Sequence, residues 1–156
     1  MKRFVLIGLF AFALACGGPV GPLSGGELSG VIATEPLDLA LVEKTTQVQL
    51  ETNPPAPHSV NTWIGVANGA VYAPTSMIRG PLSPAEREWV RNVQADPRVR
   101  LRVGDALYEL HAARVEDAAE YATARAALEA KYELGADDVD PAREIWLFRL
   151  EPRAAE

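Results

Sequence analysis

The residue pattern predicts an α+β, mainly β fold: an antiparallel sheet or small barrel of six strands with two covering helices. Three observations carry this. Six short segments alternate apolar and polar residues or read as compact apolar runs between turn signals. Tight-turn signals, Asn68-Gly69 and Gly104-Asp105, stand between consecutive segments. Only two stretches have helical spacing, and no strand–helix–strand rhythm of a parallel sheet appears. Closing such short amphipathic strands into a barrel would remove exposed edges.

The first strand is expected over 45–52, with Thr46, Val48 and Leu50 on one face and Gln47, Gln49 and Glu51 on the other. A short strand near Val31 is a further candidate. Asn53-Pro54-Pro55-Ala56-Pro57 predicts an extended loop, because each proline fixes φ and lacks an N–H donor. Residues 60–67 and 70–73 form strands around Asn68-Gly69, where both turn residues adopt φ > 0. Ser83-Pro84-Ala85-Glu86 has the pattern of a capping box with proline at the first helical position. The helix runs to Gln94, with Ala85, Trp89 and Val93 on one stripe, and Asp96-Pro97 ends it. Residues 98–103 make a strand with Val99, Leu101 and Val103 inward, and 106–115 its hairpin partner. Residues 118–133 are an alanine-rich helix with Tyr121, Ala124, Leu128 and Tyr132 in line. An acidic loop over 135–141 leads to a closing strand, 144–150.

The N-terminus is patterned differently. Lys2 and Arg3 precede an apolar run, Phe4 to Leu14, too short to span a bilayer, and Ala15-Cys16 follows. Ala13-Leu14-Ala15-Cys16 resembles the lipobox of bacterial lipoproteins. That resemblance implies cleavage of residues 1–16 as a signal peptide before Cys16 and acylation of its sulfur. An ordinary secretory signal and a buried N-terminal helix are the alternatives, but Gly17-Gly18-Pro19 would break a continuing helix. Gly17, in place of aspartate, implies the outer membrane, periplasmic side. Residues 17–29, rich in Gly, Pro and Ser, read as a flexible tether, and 30–152 as the barrel domain.

Removing Lys2 and Arg3 leaves 13 of the 15 basic residues against 21 acidic ones, a net charge of −8. Such a balance argues against nucleic acid as a partner and against charge-driven binding of anionic lipid headgroups. A single cysteine allows no internal disulfide. His58 and His111 are too isolated for a zinc site, and no metal ligand set is expected.

Most polar and aromatic candidates have a structural reading beside a functional one. Trp89 lies on the apolar stripe of its helix and reads as core, with stacking on a flat ligand as the alternative; Trp63 is similar. Asn92 either bonds a nearby carbonyl or faces a ligand. His111 reads as a strand histidine and His58 as exposed after the proline loop. Neither has the serine or cysteine partner that nucleophilic catalysis requires. Arg98, Arg100 and Arg102 form a one-sided stripe suited to cross-strand pairing with Glu109 and other acids, or to an anion. Asp137, Asp138 and Asp140 lack the spacing of a calcium loop.

Four segments together resemble a known superfamily. Gly69-Ala70-Val71-Tyr72-Ala73-Pro74-Thr75-Ser76 is similar to the G-x-x-Y-V-x-x-S strand of pyridoxamine 5′-phosphate oxidase-like split β-barrels. The run Trp89 to Leu101 resembles W-x-x-N-L-x-A-N-P-x-V-x-V of deazaflavin-dependent nitroreductases. Gly104-Asp105-Ala106-Leu107-Tyr108 with Ala113-Arg114-Val115-Glu116-Asp117 resembles their hairpin, and Ala130-Lys131-Tyr132 an A-x-K-Y helix of the same group. The match covers residues 47–152. It implies a split barrel that dimerises and holds a flavin (FMN) or deazaflavin cofactor at the subunit interface, with oxidoreductase activity. It also implies that Tyr72, Thr75, Ser76, Arg79, Trp89, Arg91 and Asn92 line the cofactor groove. The nitroreductases carry basic phosphate ligands before the hairpin, where this chain has 51–59 without Lys or Arg; Arg79, Arg87 or Arg91 would substitute. The alternative reading is a non-catalytic binding or structural lipoprotein that has lost the cofactor site.

Overall fold

The computed structural model describes residues 17–153 and shows a mostly antiparallel sheet curled into a half-barrel. The elements in chain order are β1 (Val31–Ile32), α1 (Leu39–Lys44), β2 (Val48–Thr52), β3 (His58–Thr62), β4 (Gly65–Ala67) and β5 (Ala70–Pro74). A 3-10 turn (Pro84–Glu86), α2 (Glu88–Ala95), β6 (Arg98–Val103), β7 (Ala106–Arg114), α3 (Ala118–Lys131) and β8 (Leu147–Pro152) follow. The sheet order is β3-β2-β6-β7-β8-β5-β4, with β1 added in parallel to the start of β7. The split-barrel class therefore stands. Among the described residues there are eight strands rather than six, and three α-helices rather than two.

Each difference has a local cause. The stretch 60–67 breaks into β3 and β4 because Trp63 leaves the ladder to stack on Tyr132, rings 4.1 Å apart and 7° from parallel. The freed backbone of Ile64 is satisfied by the same tyrosine: Ile64 N–H donates to the Tyr132 hydroxyl at 2.9 Å. The proline segment after β2 is a folded turn, not an extended loop. Asn53 takes φ +58 and closes on Ala56 through two hydrogen bonds, so β2 and β3 form a hairpin. Ser83 makes no side-chain cap; one 3-10 turn follows it, and α2 begins only after Arg87, which is extended. The α1 helix, six residues capped by the Asp38 carboxylate, buries Val42.

The turn signals hold. Asn68 and Gly69 both have positive φ and join β4 to β5, and Gly104 at φ +60 joins β6 to β7. The core has two parts. Inside the sheet, Leu50, Leu101, Val99, Leu110 and Phe148 pack with Val90 and Val93 of α2. Outside it, α3 lays Ala124 and Leu128 over Tyr72, Met77 and Leu147. Asp117 caps α3 by accepting from the Glu120 N–H at 2.8 Å.

Residues 17–29, read from composition as a tether, lie against the outer face of β2, β3 and β6. Leu28 is buried, Gly25 and Ser59 exchange two backbone bonds, and Gly26 N–H donates to the Gly17 carbonyl at 3.1 Å. Beneath this segment Glu51 is only 3% exposed. Its carboxylate accepts from Leu28 N–H at 2.6 Å and from two Arg100 nitrogens at 2.7 and 2.8 Å. Gly and Pro here permit close backbone approach: a Cβ on Gly25 would lie 2.4 Å from the Gly18 carbonyl carbon. The proposed signal, including Cys16, lies outside the described residues.

Candidate functional site

One cleft of about 850 Å³ stands out. It lies where three distant stretches meet: the turn 21–24, the strand β3 with Trp63, and the chain from Pro74 through Pro81 to Arg87–Trp89. The ladder between β5 and β8 brings Thr75 here and locks it. Its N–H donates to the Trp146 carbonyl and its hydroxyl accepts from Trp146 N–H at 3.0 Å. Thr75 and Met77 are buried, and Trp89 is buried with its ring edge-on to Phe148, centroids 5.4 Å apart. Trp89 is thus core and cleft wall at once.

After Thr75 the chain turns sharply. Ser76 has φ +126, a conformation that costs a non-glycine residue on the order of 1–3 kcal/mol and tends to persist at functional sites. Its hydroxyl donates to the Arg79 carbonyl at 2.6 Å. Two more groups hold that carbonyl: Arg87 at 2.7 Å and Arg143 at 3.1 Å, the latter also donating to the carbonyls of Gly80 and Pro81. Burial and the neighbouring Arg143 charge both push Arg87 below the ordinary arginine value. The backbone of Arg79 is therefore fixed by three side chains, while its own guanidinium is exposed and has no hydrogen bond or ion pair among the described residues.

The ionisable residues lining the cleft are Arg79, Arg87, His58 and Glu88. Glu88 lies 3.5 Å from His58 Nδ1 at the rim. A chain with an acidic excess thus collects more cationic than anionic groups here.

The residues expected to line a cofactor groove separate into two sets. Thr75, Ser76, Arg79 and Trp89 share the cleft. Tyr72, Arg91 and Asn92 lie outside it. Tyr72 points under α3 and donates to Glu120 at 3.0 Å; burial first, then Glu120, raises its pKa. Arg91 donates to the Ala85 and Glu86 carbonyls, and Asn92 to the Thr52 hydroxyl at 3.1 Å. Gln47 also lines the cleft, although its alternation marks only a strand's solvent side.

The other candidates are structural. Arg100 pairs with Glu51 and Glu27 rather than with Glu109, which pairs with Arg153. Arg98 pairs with Asp96. Asp138 and Asp140 accept from Gly135 and Ala142 N–H groups in their own loop. Among the described residues no cluster of His, Cys, Asp and Glu could hold a metal, and no helix is long and apolar enough to cross a membrane.

An open antiparallel half-barrel with a large, ring-walled, cation-bearing cleft defines the class: a split-barrel protein of the pyridoxamine 5′-phosphate oxidase-like kind. Residues 63–142, half of the chain, match the model of the F420H(2)-dependent quinone reductase family, and the chain belongs to that family. Solved structures share the fold. A putative pyridoxamine 5′-phosphate oxidase from Listeria innocua is 17% identical over 74% of this chain and 90% of its own, TM-score 0.50. The heme storage protein HutZ from Vibrio cholerae is 16% identical over 74% and 87%, TM-score 0.56. An F420-H2 dependent reductase is 20% identical over 68% and 94%, TM-score 0.51. Comparison with the curated proteins gives no match.

Proposed function

We propose that this chain is a lipid-anchored envelope oxidoreductase whose cleft holds a deazaflavin, with flavin mononucleotide as the related alternative cofactor. The observation that carries the reading is Arg79. Its backbone is pinned by Ser76, Arg87 and Arg143, while its charge has no partner among the described residues and stands beside an 850 Å³ cleft. An anionic ligand completes such a site, because charge-assisted bonds to a guanidinium are among the strong ones.

The residues present fit a cofactor of this kind. Arg79 and Arg87 would hold its phosphate, and Trp63, Met77 and Trp89 offer an apolar wall to its ring. The bound group would supply hydride transfer; the chain supplies binding, orientation and a shaped surface. The His58 and Glu88 side chains, 3.5 Å apart, stand at the rim beside the ligand's place. The quinone reductase activity for which the family is named makes a quinone the acceptor of first choice. The reading includes acylation at Cys16, a periplasmic outer-membrane address and a homodimer, the last checked by sedimentation.

The test is binding. Protein lacking residues 1–16 is titrated with F420 and with flavin mononucleotide, followed by cofactor fluorescence. Saturable binding that is weakened in Arg79→Ala is expected; no binding of either cofactor sinks the reading.

A second reading, a non-catalytic binding or structural lipoprotein, is favoured by one feature. The β2–β3 hairpin contributes no Lys or Arg to the cleft, because residues 48–62 contain neither, and His58 is its one ionisable lining residue. The same fold serves a protein described as heme storage, so fold alone does not decide turnover. Cofactor binding without quinone reduction would select it.

A further inference from the structure

The turn at Val20 to Leu23 is an unusual piece of surface. Val20 and Leu23 exchange two backbone hydrogen bonds, 3.1 and 3.0 Å, so both side chains sit at the base of a tight turn carrying Gly21 at φ +55. Both are exposed, at 74% and 70%. The turn cannot fold back to hide them. Pro19 and Gly21 carbonyls accept from Asn61, Pro19 also from Gln49, and Gly25 is clamped to Ser59. The whole stretch 17–26 carries no charged residue.

What covers this tip follows from where the chain goes next. Gly17 is fixed to Gly26, and Cys16 is the residue before it. Four residues of extended chain span at most ~14 Å, so Val20 lies within that distance of the Cys16 Cα. Without slack between anchor and domain, acyl chains on Cys16 bring this turn to the headgroup boundary. An uncharged tip with two branched apolar side chains can enter that boundary without desolvating an ion.

We propose that the Val20–Leu23 turn inserts into the bilayer that anchors Cys16 and seats the cleft's mouth on the lipid surface. Pro22 and Leu23 line the cleft on one side and Ile78, itself 36% exposed, on another. An apolar acceptor dissolved in the bilayer then reaches the cleft without crossing bulk water. The inference rests on the lipid-anchor part of the proposed function and is independent of which cofactor the cleft holds.

The test uses the full chain, made in a Gram-negative host and reconstituted in vesicles of phosphatidylethanolamine and phosphatidylglycerol. A diazirine-bearing aliphatic residue replaces Val20, Leu23, Val31 or Leu41, the last two being exposed apolar positions outside the turn. After irradiation, mass spectrometry is expected to find lipid adducts at 20 and 23 and none at 31 or 41. Mass spectrometry of the N-terminal peptide reads the anchor separately. A chain with no acyl group on Cys16 overturns both readings. An acylated chain with no lipid adduct at 20 and 23, with equal adducts at all four sites, or with crosslinks from 20 and 23 to a second copy or another protein overturns the membrane seating alone.

Discussion

Two arginine-bearing regions of this molecule are built oppositely. On the outer face of β2 and β6, Arg100 is enclosed by Glu51, Glu27 and the Leu28 carbonyl, and the segment 17–29 is laid over the pair. Around the cleft, Arg87 and Arg143 bond only backbone carbonyls, and Arg79 bonds nothing through its side chain among the described residues. Where each charge meets its counter-charge inside the chain, the arginine holds the fold together. Where backbone is fixed but charge is left open, as at Arg79, the proposed function makes a ligand the missing partner. A basic stripe in sequence does not distinguish the two; the positions of the carboxylates do.

The sharpest break in the comparison is Glu51→Ala. It strips a nearly enclosed guanidinium of its main partner and leaves Leu28 N–H without an acceptor, so destabilisation of about 3 kcal/mol is expected in urea unfolding. The segment 17–29 should become protease-sensitive at the same time. A loss under about 0.5 kcal/mol, the range of ordinary surface substitutions, would show that the pair is ornamental.

Arg79→Ala should behave in the reverse way. Stability is expected to stay within about 0.5 kcal/mol of the parent, because the side chain bonds nothing among the described residues. Affinity for the cofactor should fall by about 10- to 100-fold, the worth of one hydrogen bond to a charged group. Calorimetric titration and thermal unfolding on one preparation check both halves. A large stability loss with unchanged affinity would reverse the assignment of the two regions.

The strands were legible because period-two alternation reports burial directly, as Val99, Leu101 and Val103 show, all buried on β6. Alternation also puts Glu51 on the face opposite Leu50, but nothing local says that the chain 23 residues earlier returns to bury that face. Six-residue α1 is too short for a periodic signal, and Trp63's departure from its strand depends on Tyr132, far along the chain. The cleft was half legible. Thr75, Ser76 and Arg79 all fall within five residues of the end of β5, where a site can be guessed. Gln47 and residues 21–24 join them only through tertiary folding.

Tyr132 tests how far one aromatic residue holds the two-part core together. Its hydroxyl receives the Ile64 N–H and stands 2.8 Å from the Thr46 and 3.0 Å from the Ile64 carbonyl, so it joins the chain entering β2, the β3–β4 break and the end of α3. Tyr132→Phe keeps the Trp63 stack and removes the hydroxyl. A loss of about 1–2 kcal/mol in denaturant unfolding is expected, since Ile64 N–H is left unsatisfied. A neutral result would mean that water takes the hydroxyl's place.

The smallest effect concerns Asp96, which ends α2 and belongs to neither arginine class fully. Hydrogen bonds from the Arg98 side chain, then from its backbone N–H, hold the Asp96 carboxyl down to about 2. An unfolded aspartate titrates near 3.9, so the folded chain binds this proton less readily than the unfolded one. The stabilisation is therefore present above about pH 4 and is lost as pH falls through about 2. Half of the Arg98 side chain is exposed, so solvent screening limits the pair to about 0.5 kcal/mol. Asp96→Asn, which cannot ionise, should be less stable than the parent by that amount at pH 7 and should converge with it near pH 2. Parallel urea curves at the two pH values test this. A stability gap that does not close on acidification would place the stabilisation in the turn's hydrogen-bond geometry rather than in its charge.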